Sequence, residues 1–185
     1  MTRILILGGA RSGKSAYAES LATASGKEVI YIATGHATDA EMQARIDHHK
    51  QRRPAPWVTV EEPLALGGAV LDWCSPDRVV LVDCLTLWLS NLLFPAEASF
   101  PDVGVIPLPQ LFHEQRSRFL QALEQVSGDV VLVSNEVGMG VVPYGAVSRC
   151  FADEAGRLNQ EAARRCDRAV LIAAGLPLVL KGGAC

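Results

Sequence analysis

The segment GGARSGKS, residues 8–15, has the residue types and spacing of a phosphate-binding loop, G-x-x-x-x-G-K-[ST]. Its glycines allow backbone N–H groups to turn towards phosphate oxygens, and the helix that follows adds partial positive charge at its N-terminus. Lys14 can reach the β- and γ-phosphates of a nucleoside triphosphate, and the Ser15 hydroxyl can bind Mg²⁺. A glycine-rich turn without a ligand is the alternative. The apolar strand before the segment and the amphipathic helix after it favour phosphate binding.

Acidic side chains directly follow two other apolar, strand-like segments. Asp83 ends the segment RVVLVD, where a carboxylate beside a phosphate loop typically holds Mg²⁺, although a lone Asp there can also cap a helix. Asn135 and Glu136 follow a second such segment, and ligands gather at these strand ends in open α/β sheets. Glu136 is a candidate general base or substrate contact. A solvated loop residue is the alternative, and the sequence leaves both open.

The segment ARIDHHKQRR, residues 44–53, carries two adjacent histidines within a predicted helix. Neighbouring side chains on a helix diverge by about 100°, so only one of the two can share a given face. His49 continues the face of the apolar residues Met42 and Ile46, whereas His48 lies on roughly the opposite side. His49 is therefore the histidine expected to face inward.

Two features favour a catalytic role for His49 over the alternative, a structural histidine at the edge of the hydrophobic core. The cations Lys50, Arg52 and Arg53 follow directly, and a basic cluster facing a phosphate loop suits a polyphosphate. A neutral imidazole is a competent nucleophile towards phosphorus. Nearby cations help to keep the imidazole neutral, because they disfavour its protonated form.

The composition is that of an ordinary globular protein. The 185 residues are 49% hydrophobic and 20% charged, with a net charge of −3, which argues against nucleic-acid and anionic-membrane binding. The longest apolar run, VVLVDCLTLWLSNLLF, contains Asp83, Ser90 and Asn91, so no membrane span is expected. The N-terminus does not read as a signal peptide, and the five cysteines form no CxxC pair. We expect reduced thiols in a cytoplasmic protein.

Apolar runs alternate with helical patterns along the chain, which predicts one α/β nucleotide-binding domain over residues 1–185. Five runs read as buried parallel strands, starting at Arg3, Val29, Arg78, Asp129 and Arg168. A more exposed strand is predicted from Trp57. Gly175 and Pro177 predict a turn into a final antiparallel strand.

Helical spacing predicts four helices: Lys14–Ala24, Asp39–Arg53, Gln110–Val126 and Val147–Cys166. The last carries a stripe of core residues: Phe151, Ala155, Leu158, Ala162 and Cys166. Four prolines mark Pro95–Pro109 as a long loop, either a lid or an irregular crossover.

In these motifs and their order, the chain resembles the bifunctional adenosylcobinamide kinase/adenosylcobinamide-phosphate guanylyltransferases of cobalamin biosynthesis. The patterns RIxHHKxxRP and NEVGxGxVP are more specific than the phosphate loop, and residues 95–109 match nothing. The matching segments spread over nearly the whole chain: GGARSGKS, YIATG, DAEMQARIDHHKQRRP, VDCLTLWLSNLLF, VLVSNEVGMGVVP, AGRLNQ and GLPLVLKG.

The resemblance implies a RecA-like P-loop NTPase fold, with a mostly parallel central sheet flanked by helices, usually assembled as a homotrimer. It implies that ATP or GTP phosphorylates the aminopropanol hydroxyl of adenosylcobinamide. GTP then transfers GMP to adenosylcobinamide-phosphate, which releases pyrophosphate and gives adenosylcobinamide-GDP. The family's GMP–histidine intermediate falls on His49, in agreement with the helical-face argument. Guanine specificity comes from the resemblance alone, because the chain has no NKxD-type motif.

The resemblance also implies nucleotide contacts and a Mg²⁺ site formed by Ser15 and Asp83. The implied nucleotide contacts are Gly8, Gly9, Ala10, Arg11, Ser12, Gly13, Lys14, Ser15, Ala33, Thr34, Gly35, Lys50, Gln51, Arg52, Arg53, Glu61 and Asp83.

Two other functions compete with this interpretation. A simple P-loop small-molecule kinase would transfer only the γ-phosphoryl group, and it leaves HHKQRR unexplained. A RecA-like nucleotide switch or filament module would turn over nucleotide slowly without a small-molecule acceptor, and the modest charge provides no DNA-binding stripe.

Overall fold

One seven-stranded sheet forms the centre of the protein, as seen in a computed structural model that describes residues 1–35 and 56–183. The sheet order is β3-β2-β4-β5-β1-β6-β7, with β1 to β6 parallel and β7 antiparallel to β6. The predicted strands and the antiparallel end are thereby confirmed. The strands are β1 Arg3–Gly8, β2 Glu28–Ala33, β3 Val58–Glu61, β4 Arg78–Asp83, β5 Asp129–Asn135, β6 Arg168–Ala173 and β7 Leu176–Lys181.

Three of the four predicted helices appear, and the fourth, over residues 39–53, lies outside the described residues. Two described helices were not predicted from the sequence. Their segments LGGAVLDW and LTLWLSNLL are short and mostly apolar, so few polar residues mark a helical period in the sequence. The helices of the described ranges are α1 Lys14–Ala24, α2 Leu66–Trp73, α3 Leu85–Leu93, α4 Gln110–Gln125 and α5 Ala146–Arg165.

The five inner strands of the sheet are buried on both faces, which explains their continuously apolar sequences, whereas the edge strands β3 and β7 are more exposed. Along β4, Val80 and Val82 pack into one hydrophobic cluster, and Val79 and Leu81 pack into a second one on the opposite face. The larger cluster takes side chains from α2 to α5, and the smaller one takes them from α1. The predicted stripe on α5 belongs to the larger cluster. Helices therefore cover both faces of the inner strands.

The strand order decides what lies at the carboxyl edge of the sheet. β5 lies between β1, which leads into the phosphate loop, and β4, which ends at Asp83. In the register, Gly8 is paired with Asn135, and Ala33 is paired with Asp83. Because these strands are parallel, their carboxyl ends share one edge, where ligands bind in open α/β folds.

The segment Pro95–Pro109 links α3 to α4 without regular secondary structure, as the proline count predicted. It reaches the start of α5, where the Ala146 N–H donates to the Asp102 carbonyl oxygen at 2.9 Å. Within the described ranges, no helix is long and apolar enough to cross a membrane.

Candidate active site

The phosphate loop closes tightly at its first glycine. A Cβ on Gly8 would lie 2.7 Å from the Ile172 carbonyl oxygen and closer still to the Ser12 hydroxyl. The turn between β6 and β7 braces the loop from the other side, because the Gly175 N–H donates to the Ser12 carbonyl oxygen at 2.8 Å. Gly13, with a φ of 97°, takes the left-handed conformation that starts α1. These contacts hold the loop backbone in the curved conformation that phosphate binding requires.

Replacing Gly8 with alanine is expected to weaken ATP binding by roughly tenfold or more. The new Cβ meets backbone oxygen, which cannot move aside as a flexible side chain could. Calorimetric titration with ATP measures the effect. Gly68→Ala is the matched control, because a Cβ there meets nothing within 4 Å. Equal ATP affinity in the two variants would show that the geometry at Gly8 does not govern binding.

The start of α1 leaves its N–H groups available to an anion. No side chain caps the helix at Gly13, and its first turn contains no acidic residue that would compete with a phosphate. The Lys14 ammonium donates to the Gly9 carbonyl oxygen at 3.2 Å, so it folds over the loop. The buried Ser12 hydroxyl forms no hydrogen bond with the described residues. These groups form an anion-binding cradle.

Asp83 is oriented by a tyrosine that the sequence analysis did not single out. The Tyr31 hydroxyl donates to Asp83 Oδ2 at 2.9 Å, from the neighbouring strand. Tyr31 is buried and stacks on Trp57, so the hydroxyl is held in place. A tyrosine, whose ring carries a polar hydroxyl, within an otherwise apolar strand was the only signal in the sequence that could have indicated this role.

Thr34 lies at this edge, but its side chain bonds to the protein backbone. Its hydroxyl donates to the Cys84 carbonyl oxygen at 2.7 Å and accepts from the Cys84 N–H at 2.9 Å. Asn91, a polar residue within the apolar α3, donates to the Thr34 carbonyl oxygen at 2.8 Å. The Thr34 N–H donates to the Asp83 carbonyl oxygen at 3.3 Å, so the polar groups of this buried residue bond within the protein and tie the end of β2 to the start of α3.

Cys84 is the thiol nearest to Asp83, and burial excludes it as a nucleophile. Desolvation and the negative charge of Asp83 together raise the pKa of Cys84 to about 11, against the opposing effects of the hydrogen bond with Thr86 and of Lys14. The thiol stays neutral near pH 7, and only the thiolate is strongly nucleophilic. Cys84 is therefore a poor candidate for a catalytic nucleophile.

The structure brings most of the described residues that were predicted to contact the nucleotide to one edge of the sheet, but it places Glu61 far from the phosphate loop. Residues 8–15, Ala33 to Gly35 and Asp83 share the carboxyl edge. Glu61 ends β3, which is four strand spacings from β1, about 19 Å. It is therefore remote from the loop that binds phosphates. The predictions for His49 and for Lys50 to Arg53 fall outside the described residues.

The sheet order, the loop at the end of β1 and the carboxylate at the end of β4 define a P-loop nucleotide-binding protein. A solved structure described as "a prototypical ATPase from the type III secretion system of pathogenic bacteria" shares the fold, with a TM-score of 0.54 at 13% identity. The match covers 96% of this chain and 56% of that one.

The particular family follows from the sequence. The family model "Cobinamide kinase / cobinamide phosphate guanyltransferase" matches residues 4–180, and the chain belongs to this family. It is 51% identical over 180 residues to the Pseudomonas aeruginosa "Bifunctional adenosylcobalamin biosynthesis protein CobP", covering 97% of this chain and 98% of the relative. The Escherichia coli K12 relative, named CobU, is 39% identical, with 96% and 99% covered. The resemblance inferred from the motifs is confirmed.

Proposed function

We propose that this chain catalyses both reactions of its family on one nucleotide-binding domain over residues 1–185. In the first, ATP or GTP phosphorylates the aminopropanol hydroxyl of adenosylcobinamide. In the second, GMP passes from GTP to adenosylcobinamide-phosphate, giving adenosylcobinamide-GDP and pyrophosphate. The observation that carries the proposal is the uncapped start of α1 beside Lys14, within a family match over residues 4–180. Relatives named as bifunctional adenosylcobalamin biosynthesis proteins support both activities.

In the kinase step, the loop positions the triphosphate and stabilises its charge. The N–H groups at the start of α1 and the Lys14 ammonium face the oxygens on which charge develops during phosphoryl transfer. These groups are in place before the reaction, so little reorganisation is needed at the transition state. The same charges stabilise pyrophosphate as it leaves in the second reaction.

The donors at this edge fit Mg²⁺. Ser15 supplies a hydroxyl oxygen, and Asp83 supplies a carboxylate of which Tyr31 occupies one oxygen. Mg²⁺ is usually held by one or two carboxylates together with substrate phosphates, not by an all-protein cage. Consistent with this, residues 1–35 and 56–183 contain no group of three or more metal-binding side chains. The ion, when bound, neutralises charge on the phosphates.

The guanylyl transfer step uses His49 as nucleophile. The imidazole nitrogen forms a bond to the α-phosphorus of GTP as the bond from that phosphorus to the pyrophosphate oxygen breaks. An oxygen of adenosylcobinamide-phosphate then attacks the same phosphorus and releases the histidine. The support is the face that His49 shares with Met42 and Ile46, together with family membership. The exclusion of the Cys84 thiol removes one rival nucleophile.

We further propose a homotrimer in the cytoplasm, which rests on family resemblance. Sedimentation equilibrium measures the assembly directly. A chain of 19.8 kDa would give a mass of about three times that value as a trimer. A monomeric mass at working concentration would contradict the proposed assembly.

Replacing Asp83 with asparagine is expected to raise the Mg²⁺ concentration needed for half-maximal kinase activity by roughly ten- to hundredfold. The amide keeps the volume and can still accept from Tyr31, but it has no charge to attract the ion. Magnesium titration of the kinase reaction measures the change, and Asp72→Asn on the exposed side of α2 is the control. Unchanged magnesium dependence would leave Asp83 without a metal role.

Product analysis distinguishes the proposed function from its rivals. The protein is incubated with GTP and Mg²⁺ and then analysed by mass spectrometry. If the enzyme catalyses both reactions, we expect a GMP-sized adduct on one histidine and release of pyrophosphate. A simple kinase would release GDP only in the presence of acceptor and would show no adduct. A nucleotide switch would hydrolyse GTP slowly with no transfer to adenosylcobinamide.

A further inference from the structure

Glu136 lies beside the phosphate loop, directly after β5, the strand between β1 and β4. Its N–H donates to the Gly8 carbonyl oxygen at 3.1 Å, and the preceding residue, Asn135, is the register partner of Gly8. Neighbouring strands are about 4.8 Å apart, so the Glu136 backbone is within one strand spacing of the loop. Because β5 lies between β1 and β4, the Glu136 backbone lies between the phosphate loop and the end of the strand that carries Asp83, and we expect the terminal phosphate of a bound triphosphate near this edge.

A hydrogen bond to one oxygen orients the Glu136 carboxylate, and the other oxygen is available to accept a proton. Oε1 accepts from the Gly138 N–H at 2.6 Å, and a Cβ on Gly138 would lie 3.1 Å from that oxygen. The close turn at Gly138 therefore fixes the side chain, which is half-buried. Within residues 1–35 and 56–183, Oε2 has no hydrogen-bond donor.

Other carboxylates near this edge already have partners or lie too far away. Asp83 accepts from Tyr31 and is assigned to Mg²⁺. Glu62 directly follows β3, at the far side of the sheet from the loop, and its Oε1 accepts from the N–H groups of Leu64 and Ala65 before α2. Glu61 is four strand spacings from the loop. Among the carboxylates of the described residues at this edge, Glu136 is the one placed to meet an acceptor at the terminal phosphate.

The chain directly after Glu136 offers a surface for an acceptor with apolar parts. Met139, Val141, Val142 and Tyr144 are between 77% and 96% exposed. Exposed apolar side chains in a row next to a nucleotide site are typical of a ligand-binding face. An acceptor lying there would present its hydroxyl close to Glu136.

We propose that Glu136 is the general base of the kinase step, an inference that rests on the proposed function. As the acceptor hydroxyl oxygen attacks the γ-phosphorus, its O–H bond breaks and the proton passes to Glu136. The new O–P bond forms while the bond from the γ-phosphorus to the leaving nucleoside diphosphate breaks. Guanylyl transfer does not use this base. Its acceptor is a phosphate monoester with a second pKa near 6, which is already deprotonated above pH 7.

The test compares the two reactions in the Glu136→Gln enzyme. The kinase kcat is expected to fall about 10²- to 10⁴-fold, with loss of the acidic limb of its pH profile. Guanylyl transfer to supplied adenosylcobinamide-phosphate is expected to stay within about twofold of the wild-type rate. Glu114→Gln, on α4, is the control and keeps both activities, because the amide oxygen can still accept from Gln110.

Several outcomes would overturn this assignment. An unchanged kinase kcat or pH profile in the Glu136→Gln enzyme would remove the base role. An equal fall in both reactions would mean that Glu136 only shapes the loop. If the wild-type enzyme left adenosylcobinamide unphosphorylated, the proposed function would fail and this inference with it. If the wild-type enzyme phosphorylates adenosylcobinamide and the Glu136→Gln enzyme does so equally well, only the role of Glu136 is overturned and the proposed function stands.

Discussion

The Lys14→Ala enzyme is expected to lose both the kinase and the guanylyl transfer reactions, each by at least about a hundredfold. Lys14 folds over the phosphate loop, and we expect its ammonium to lie beside the β- and γ-phosphates of a bound triphosphate. Both reactions build up negative charge there, on the transferred γ-phosphoryl group in the first and on departing pyrophosphate in the second. Neither the helix N-terminus nor the loop amides carry a full charge that could replace it.

The measurement is the initial rate of each reaction, with ADP release and pyrophosphate release followed separately. Lys27→Ala is the control for loss of a lysine, because Lys27 binds Asp129 and the Pro76 carbonyl oxygen at the amino edge of the sheet. Thermal unfolding of both variants separates catalytic loss from loss of the fold. Near-normal turnover of either reaction in Lys14→Ala would contradict the assignment of the loop.

Replacing His49 with alanine is expected to abolish guanylyl transfer, whereas His48→Ala keeps most of it. The two residues differ by about 100° around the predicted helix, and His49 shares the face of Met42 and Ile46. Removing a covalent nucleophile removes the intermediate itself, so the loss should exceed that from a missing hydrogen bond. The kinase reaction of His49→Ala should continue, because γ-phosphoryl transfer needs no covalent histidine.

The bond chemistry of the intermediate provides a second readout. A phosphoramidate N–P bond is labile in acid and persists in alkali, because protonation makes nitrogen a good leaving group. A phosphate ester on Ser12 or Ser15 would show the opposite preference. Enzyme labelled with α-³²P GTP is divided between acid and alkali. Label that survives acid, or that remains on the His49→Ala protein, would contradict the role of His49 as the nucleophile.

Local patterns in the sequence were enough to predict most of the sheet and the phosphate loop. The five inner strands are buried on both faces, so their sequences are unbroken runs of mainly Val, Ile and Leu that can be recognised without knowing the neighbouring strands. The loop is equally local, since its glycines, Lys14 and Ser15 act within eight consecutive residues. Family membership was recognisable for the same reason, because its motifs are short and contiguous.

The two missed helices show where local patterns fail. α2 and α3 pack into the larger cluster and contain few polar residues, so their short sequences offer little contrast to mark a helical period. In α3, the apolar residues continue almost directly from β4, and the boundary at Cys84 is set by tertiary contacts with Thr34. A pattern based on amphipathicity cannot locate a short helix that has so few polar residues.

The sequence by itself determined the strand and loop residues and, through its motifs, the family. Only the tertiary structure decided which strand ends are neighbours. The insertion of β5 between β1 and β4 placed Glu136 beside Gly8 and left Glu61 about 19 Å from the loop strand. The bond between Tyr31 and Asp83 joins residues 52 positions apart. Strand order and such long-range bonds arise when whole faces pack together, so no short segment of the chain encodes them.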